Sequence, residues 1–325
     1  TASLTQTETQ ALFAVVRKLA DEGITVVFVS HRLAEIMDIS DRVTVLRDGQ
    51  LVGVFDTVDM TPNRLTELMT GKTIDYEVQA RDCSTQASLL EVSGLSRAGE
   101  YEYVSFTVKR GEIVGITGLL GAGRTELASS LFGLNRPDKG EVRLDGKLIS
   151  PRKPRAAIEA GIAYVSEDRL HLGLDQRQSI ADNIAVTVLD QLLRWRLLSA
   201  TLKRALVDDW IERLSVKIGE PDDAVSTLSG GNQQRVVLGK WLATKPKLLI
   251  LDSPTVGVDV GARAGIFEIV RALANDGMGI VMISDEIPEI YYHTDRILHM
   301  RDGRLVETFQ PQDADIEQIE MAVNG

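Results

Sequence analysis

The chain of 325 residues is 44% hydrophobic and 26% charged, enough apolar material for one large or two ordinary domains, and it has no apolar run near the ~20 residues that span a bilayer. Its formal net charge of −11 excludes a general attraction to nucleic acid or anionic lipid, either of which would need a local basic patch. A single cysteine, Cys83, rules out an intramolecular disulfide and fits a reducing compartment, and the first residues do not read as an export leader, so the cytoplasm is the expected location.

The first informative element, VFVSHRLAEIMDISDRVTVLRDGQLV from Val27, returns without a gap as VMISDEIPEIYYHTDRILHMRDGRLV from Val281. Ser30 pairs with Ser284, Glu35 with Glu289, Asp41-Arg42 with Asp295-Arg296, and Asp48-Gly49 with Asp302-Gly303. The offset is 254 residues, the distance from His31 to Asp285, and the same shift brings Thr1 onto Thr255 and Gly71 onto Gly325. Residues 1–71 therefore read as the tail of one copy and the remainder as a complete second copy. Threonine at position 1 adds the expectation that an earlier part of copy one precedes it.

Further along, QARDCSTQAS (79–88) is polar without apolar periodicity and reads as a linker, followed by short β-rich stretches. EIVGITG then reads as a buried strand feeding GLLGAGRT (118–125), and RTELASSLFG has helical spacing closed by a glycine. In such a loop, glycines let successive backbone N–H groups converge on phosphate oxygens at a helix start. Gly118, Gly121 and Gly123 have that spacing, the Thr125 hydroxyl suits Mg²⁺, and Arg124 places a bulky planar cation where a compact lysine is usual. Residues 179–214 read as mainly helical, whereas KLLILD (247–252) and GIVMIS (279–284) suit central parallel strands. The expected architecture is α/β with a helical insertion.

The run TLSGGNQQRVVLGKWLATKPKLLILDSPT (227–255) resembles the signature and Walker B segments of ABC transporter ATPases. GLLGAGRTEL together with GVDVGAR is similar to the second half of their tandem carbohydrate-import subunits, of the ribose and galactose type. The resemblance covers nearly the whole chain. It implies a P-loop NTPase fold, namely an ABC nucleotide-binding domain with a β-rich subdomain and a helical insertion over residues 88–325, a linker over 72–87, and the C-terminal part of a first such domain over 1–71.

The same resemblance implies ATP and Mg²⁺ as ligands, with Gly118, Gly121, Ala122, Gly123, Arg124, Thr125, Glu126 and Glu167 at the nucleotide and Thr125 and Asp252 at the metal. It implies head-to-tail pairing of two nucleotide domains, so that Ser229, Gly230, Gly231, Asn232 and Gln233 complete a site whose phosphate loop belongs to copy one. From the residues alone, LSGGN is also a helix N-terminus with Ser229 as its capping residue. His31 aligns with the family's switch histidine. In copy two, Ser253 replaces the glutamate that polarises attacking water, Asp285 replaces the histidine, and Glu167 replaces a glutamine. Loss of a general base removes about 10²–10⁴-fold of rate. An ionised carboxylate 4 Å from a phosphate charge repels it by about 4 kcal/mol at an effective dielectric of 20. Copy two is thus expected to hold ATP and hydrolyse it poorly.

The implied partners are membrane permease subunits, indirectly a periplasmic sugar-binding protein, and the absent first domain, with no nucleic acid, at the cytoplasmic face of the plasma membrane. A soluble tandem ABC ATPase acting on ribosomes is disfavoured by the acidic balance and the lack of a long basic arm; a nucleotide-sensing module without turnover remains the other alternative. Among weaker features, QLLRWRLLSATLKRAL (191–206) reads as a helical subdomain with a solvated face or as a permease contact. Tyr101 and Tyr103 are candidates for stacking on adenine or for core packing, and His171, His293 and His299 lack metal-ligand spacing.

Overall fold

The computed structural model describes residues 6–30, 33–47, 49–71, 77–150 and 153–325. They fall into two compact units, Thr1–Asp75 with Asp259–Ala264, and Tyr76–Val258 with Gly265–Gly325.

The first unit contains α1 (Gln6–Asp21), α2 (Leu33–Ile39), the hairpin β1 (Arg42–Arg47) and β2 (Gln50–Asp56), and α3 (Pro62–Thr70). Val43, Val45 and Leu65 form its small core, with Ile36, Phe55 and Leu68 packed around them. Thr61 caps α3 by accepting a hydrogen bond from the Arg64 amide, Pro62 opens the helix, and Gly71 closes it in the left-handed region at φ 72°. The apolar segment 24–29 is not a strand in this unit, because no neighbouring strand pairs with it among the described residues.

The second unit begins with β3 (Ser88–Arg97), β4 (Tyr101–Lys109), β5 (Ile113–Thr117), α4 (Arg124–Phe132), β6 (Lys139–Leu144), β7 (Lys147–Ile149), α5 (Pro154–Ala160) and β8 (Ile162–Val165). It continues through α6 (Ile180–Ala185), β9 (Leu193–Arg194), β10 (Leu197–Leu198), α7 (Ala200–Arg213), α8 (Gly230–Leu242), β11 (Leu248–Asp252) and α9 (Val260–Asn275), the last from Gly265 onward. It closes with β12 (Gly279–Ile283), α10 (Ile287–His293), β13 (Arg296–Arg301), β14 (Arg304–Phe309) and α11 (Ile316–Asn324).

Six strands form one sheet in the order β14-β13-β5-β12-β11-β8, parallel except for β14. Every residue of β5, β11 and β12 is buried, which is why these strands read as unbroken apolar runs. An antiparallel sheet, β4-β3-β6-β7, supplies the β-rich part, and its inner face joins the same core through Leu90, Val92, Phe106 and Val142. The ends of β5 and β11 open on the same edge of the parallel sheet, the position at which doubly wound folds bind ligands.

Residues 179–214 are mainly helical, as expected, through α6, a 3-10 segment (Val186–Leu192) and α7, but before α7 the chain turns through the hairpin β9-β10, with Trp195 and Arg196 at φ 54° and 68°. Those values match the primed two-residue turn that suits strand twist, at the cost of strain for side chains other than glycine. Residues 77–87 form no helix or strand and are held to the second unit by side-chain bonds. The Arg81 backbone amide and guanidinium both donate to buried Asp295, at 2.9 Å each for N and Nη2, and Nη1 donates to Asn275.

The repeat extends to element boundaries. Shifted by 254 residues, the distance from Leu33 to Ile287, α1, α2 and α3 become α9, α10 and α11. The irregularity between Val45 and Leu46 in β1 returns between His299 and Met300 in β13. Ser30 donates to Glu35 at 2.9 Å, and Ser284 donates to Glu289 at 2.9 Å.

Candidate functional site

Loop 118–123 joins the end of β5 to the start of α4, and its glycines are needed for two physical reasons. A Cβ on Gly118 would lie 2.1 Å from the Met300 carbonyl oxygen, and one on Gly123 would lie 2.5 Å from that of Glu100. These positions let the loop press against neighbouring backbone. Gly121 has open space around it but sits at φ 82°, a conformation that glycine adopts without strain. Ala122 is buried, and Glu126 places a negative charge in the first turn of α4, where the helix dipole favours it.

Arg124 is buried at the start of α4, and one of its terminal nitrogens, Nη1, has no hydrogen-bond partner among the described residues. Burial pulls its pKa below the ordinary value, and the charges of Asp285, Asp252, Glu167 and Glu126 oppose that shift. Among them, the Asp285 contribution is the largest. Burial outweighs these charges, so the net shift of Arg124 stays downward. An unsatisfied guanidinium N–H at the foot of a glycine loop is a donor awaiting an anion.

Thr125 and Asp252 come together: the hydroxyl donates to Oδ1 at 3.3 Å, while the Tyr164 hydroxyl donates to Oδ2 at 2.9 Å. Burial pushes the Asp252 carboxyl up to about 6, even though both bonds and the Arg124 charge favour its ionised form. The hydroxyl and carboxylate are hard oxygen donors that fit Mg²⁺, with water and phosphate oxygens completing its coordination. They form one end of a cleft of about 420 Å³ whose walls include Tyr164, Glu167, Arg169, Val256 and Gly257.

Ser253 follows Asp252 at φ 47° and is half-buried; its amide donates to the Ile283 carbonyl at 2.8 Å. Asp285 and Glu167 are exposed. Behind them lies a buried polar chain in which Glu289 accepts from Thr255 and from Ser284, and the Ser284 hydroxyl accepts from the Glu286 amide at 3.0 Å. This chain fixes the turn that presents Asp285.

At the LSGGN run, Ser229 occupies the N-cap position of α8 with φ −62° and ψ 157°, but its side chain makes no capping bond. Its oxygen instead accepts from Asn232 Nδ2 at 3.1 Å, a correction to the expected cap that leaves the first-turn amides open to an external anion. A Cβ on Gly230 would lie 2.5 Å from the Gly257 carbonyl oxygen, so α8 begins in close contact with the loop after β11. Gly231 is buried, and Gln233 is buried with its amide donating to Val225 at 3.3 Å.

The remaining candidates separate clearly. Tyr101 is buried in the core, whereas Tyr103 is exposed at φ 52°. His171 pairs with Asp168 at 2.9 Å, His293 stacks on Phe267 with ring centroids 3.8 Å apart, and His299 is buried in β13. His31, together with the repeat positions Thr1 and Asp48, lies outside the described residues. Sequence reasoning missed Tyr164 and Arg169. They stand three residues before and two after Glu167, but their burial against Asp252 and Val256 is a tertiary fact.

Buried strand, glycine loop, α4 and an aspartate at the end of a parallel strand one removed in the sheet define a P-loop nucleotide-binding domain, and the glycine-rich start of α8 makes it an ATP-binding cassette. Residues 101–256 match the profile of the ABC transporter family. Over all 325 residues the chain is 40% identical to the ribose import ATP-binding protein RbsA of Geobacillus kaustophilus (strain HTA426), covering 66% of that protein. It is 44% identical over the same span to ribose import ATP-binding protein RbsA 2 of Streptomyces avermitilis, covering 64% of it. A nucleotide-free ATP-binding cassette from an ABC transporter superposes with a TM-score of 0.62 at 21% identity, over 74% of this chain and 96% of that one, which establishes the shared fold. The chain belongs to the ABC transporter family. It spans slightly less than two thirds of the length of these relatives. No helix among its described residues is long and apolar enough to cross a membrane.

Proposed function

We propose that the chain is the larger part of the ATP-binding, energy-coupling subunit of a bacterial sugar importer, peripheral to the cytoplasmic face of the plasma membrane. The relatives named for ribose import support a monosaccharide cargo. Residues 88–325 act as a second nucleotide domain and residues 1–71 as the end of a first, joined by 72–87. Permease subunits are its membrane partners, and a periplasmic sugar-binding protein delivers the cargo to them.

The observation that carries this reading is the meeting of Thr125 and Asp252 beside Arg124, whose buried Nη1 lacks a partner among the described residues. Backbone amides of 118–125 and the Arg124 guanidinium bind the phosphates, and Thr125 and Asp252 hold Mg²⁺, which when bound neutralises phosphate charge. Tyr164 fixes the Asp252 carboxylate by donating to its second oxygen. Water activation is weak because Ser253 is a poor base at neutral pH and Asp285 is turned to solvent with its charge set against Arg124. Ser229–Gln233 then serve a site completed by the first domain, where His31 assists turnover. ATP favours the closed pair of domains, and hydrolysis at the first-domain site reopens it, shifting the permease between states.

Single-turnover incubation of the full-length protein, followed by mass spectrometry of retained nucleotide, tests the asymmetry. One ATP held per molecule while the other becomes ADP is the expected result; equal hydrolysis at both sites overturns it.

A further inference from the structure

Arg169 is 9% exposed and begins the single wide π turn Arg169–Gly173 that follows β8. Its Nη1 donates to the Val256 carbonyl at 3.1 Å and reaches Gln234 Oε1 at 3.5 Å, while Nη2 donates to the Gly257 carbonyl at 3.3 Å. One guanidinium thus links the loop after β11, helix α8 and the turn after β8. Glycines make room for it: a Cβ on Gly230 would lie 3.3 Å from Nη2, one on Gly257 3.4 Å from the same atom, and one on Gly173 3.6 Å from the Arg169 Cβ. Lys240 of α8 donates to the Gly173 carbonyl and ties the far end of the turn to the same helix.

Arg124 and Arg169 differ in their counter-charges. Carboxylates partly offset the burial of Arg124, whereas Arg169 is held by carbonyl and amide oxygens, and burial alone sets the direction of its shift. Its Nε has no partner among the described residues. A buried cation without a carboxylate is costly, and it forms part of the wall of the cleft that also contains Thr125 and Asp252. Negative charge entering that cleft supplies what Arg169 lacks.

We propose that Arg169 is a positioning residue that couples nucleotide occupancy of this cleft to the placement of the signature segment at the start of α8. The loop 253–258 and the Gly230 end of α8 move as one body because the guanidinium fork binds both. The proposal rests on the reading that this signature serves the other domain's site, so Arg169 acts on turnover there without touching its substrate.

Hydrogen exchange of the full-length protein with and without MgATP tests the coupling directly. In the wild type, amides of 229–234 and 254–258 gain protection together. In Arg169→Ala, protection of 254–258 persists while that of 229–234 is lost, and kcat for ATP falls about tenfold with little change in KM, the scale of a coupling contribution. Arg169→Lys keeps the charge but not the planar fork; its melting temperature, close to wild type, shows that the fold survives, and its kcat lies between the other two. Joint protection surviving in Arg169→Ala overturns the proposal, because coupling through this residue is then absent. Equal hydrolysis at both wild-type sites defeats the asymmetric reading by itself, and the exchange experiment still decides the role of Arg169.

Discussion

Residues 27–29 and 281–283 hold the same positions of the repeat, yet Val27 and Val29 are 85% and 91% exposed, whereas Val281 and Ile283 are 1% and 2% exposed. Both segments are short apolar runs, and each leads into a serine that hydrogen-bonds the glutamate five residues on. The difference lies in their neighbours. β12 is paired on both sides, by β5 and β11, while segment 24–29 pairs with no strand among the described residues. Local sequence is sufficient for α1 to α3 and the hairpin β1-β2, whose contacts are close in the chain, but a central parallel strand exists only when distant strands arrive to pair with it.

The largest expected effect on this comparison comes from truncating the two strand positions. Ile283→Ala should cost about 3–4 kcal/mol in chemical denaturation of the second unit, and Val29→Ala no more than about 0.5 kcal/mol in the first. Restoring the rest of a first domain should raise the cost of Val29→Ala to that of a core residue; if it stays negligible in the full-length protein, the two segments are not equivalent.

Next in size is the pair at the end of these segments. In the full-length protein His31→Ala should slow ATP turnover about 100-fold, while Asp285→Ala leaves it almost unchanged. Comparable losses in both would remove the functional distinction between the copies.

A third contrast is set by acid. Burial, and secondarily the Arg271 charge, hold the pKa of His293 down to about 4 from 6.5. The unfolded chain therefore binds more protons between those values, and stability rises with pH across the window and is lost as pH falls from 6.5 to 4. The loss should reach about 2–3 kcal/mol in thermal melts of the second unit. The matching residue of the first unit is Ile39, which does not titrate, so His293→Ile should flatten the acid limb.

The smallest effect concerns the serine–glutamate bond. Ser284→Ala should destabilise by about 1–2 kcal/mol because Glu289 is buried and loses a donor, and Ser30→Ala by less because its hydroxyl is only part-buried. Denaturant titration of the two variants compares them.

Much of the site was legible because its motifs depend on backbone requirements. Gly118, Gly121 and Gly123 mark positions where a Cβ would strike a carbonyl or where φ is positive, and such requirements leave a fixed spacing in sequence. Asp252 was legible from the apolar run before it. The hairpin around Trp195 was not, because LLRWRLL has an apolar pattern compatible with a helix and only the positive φ of its two turn residues distinguishes it. Arg81 was hidden in a polar stretch for the same kind of reason: its hold on Asp295 joins residues 214 positions apart.

The amino-acid order by itself determined the repeat, the phosphate loop, the signature run and the substitutions at Ser253 and Asp285, since each is a matter of residue type at a local spacing. Tertiary structure alone decided that Arg124 is buried, that Tyr164 secures Asp252, and that Arg169 ties two motifs together. Side-chain pairing and burial depend on through-space distance and on the exclusion of water, which spacing along the chain does not encode.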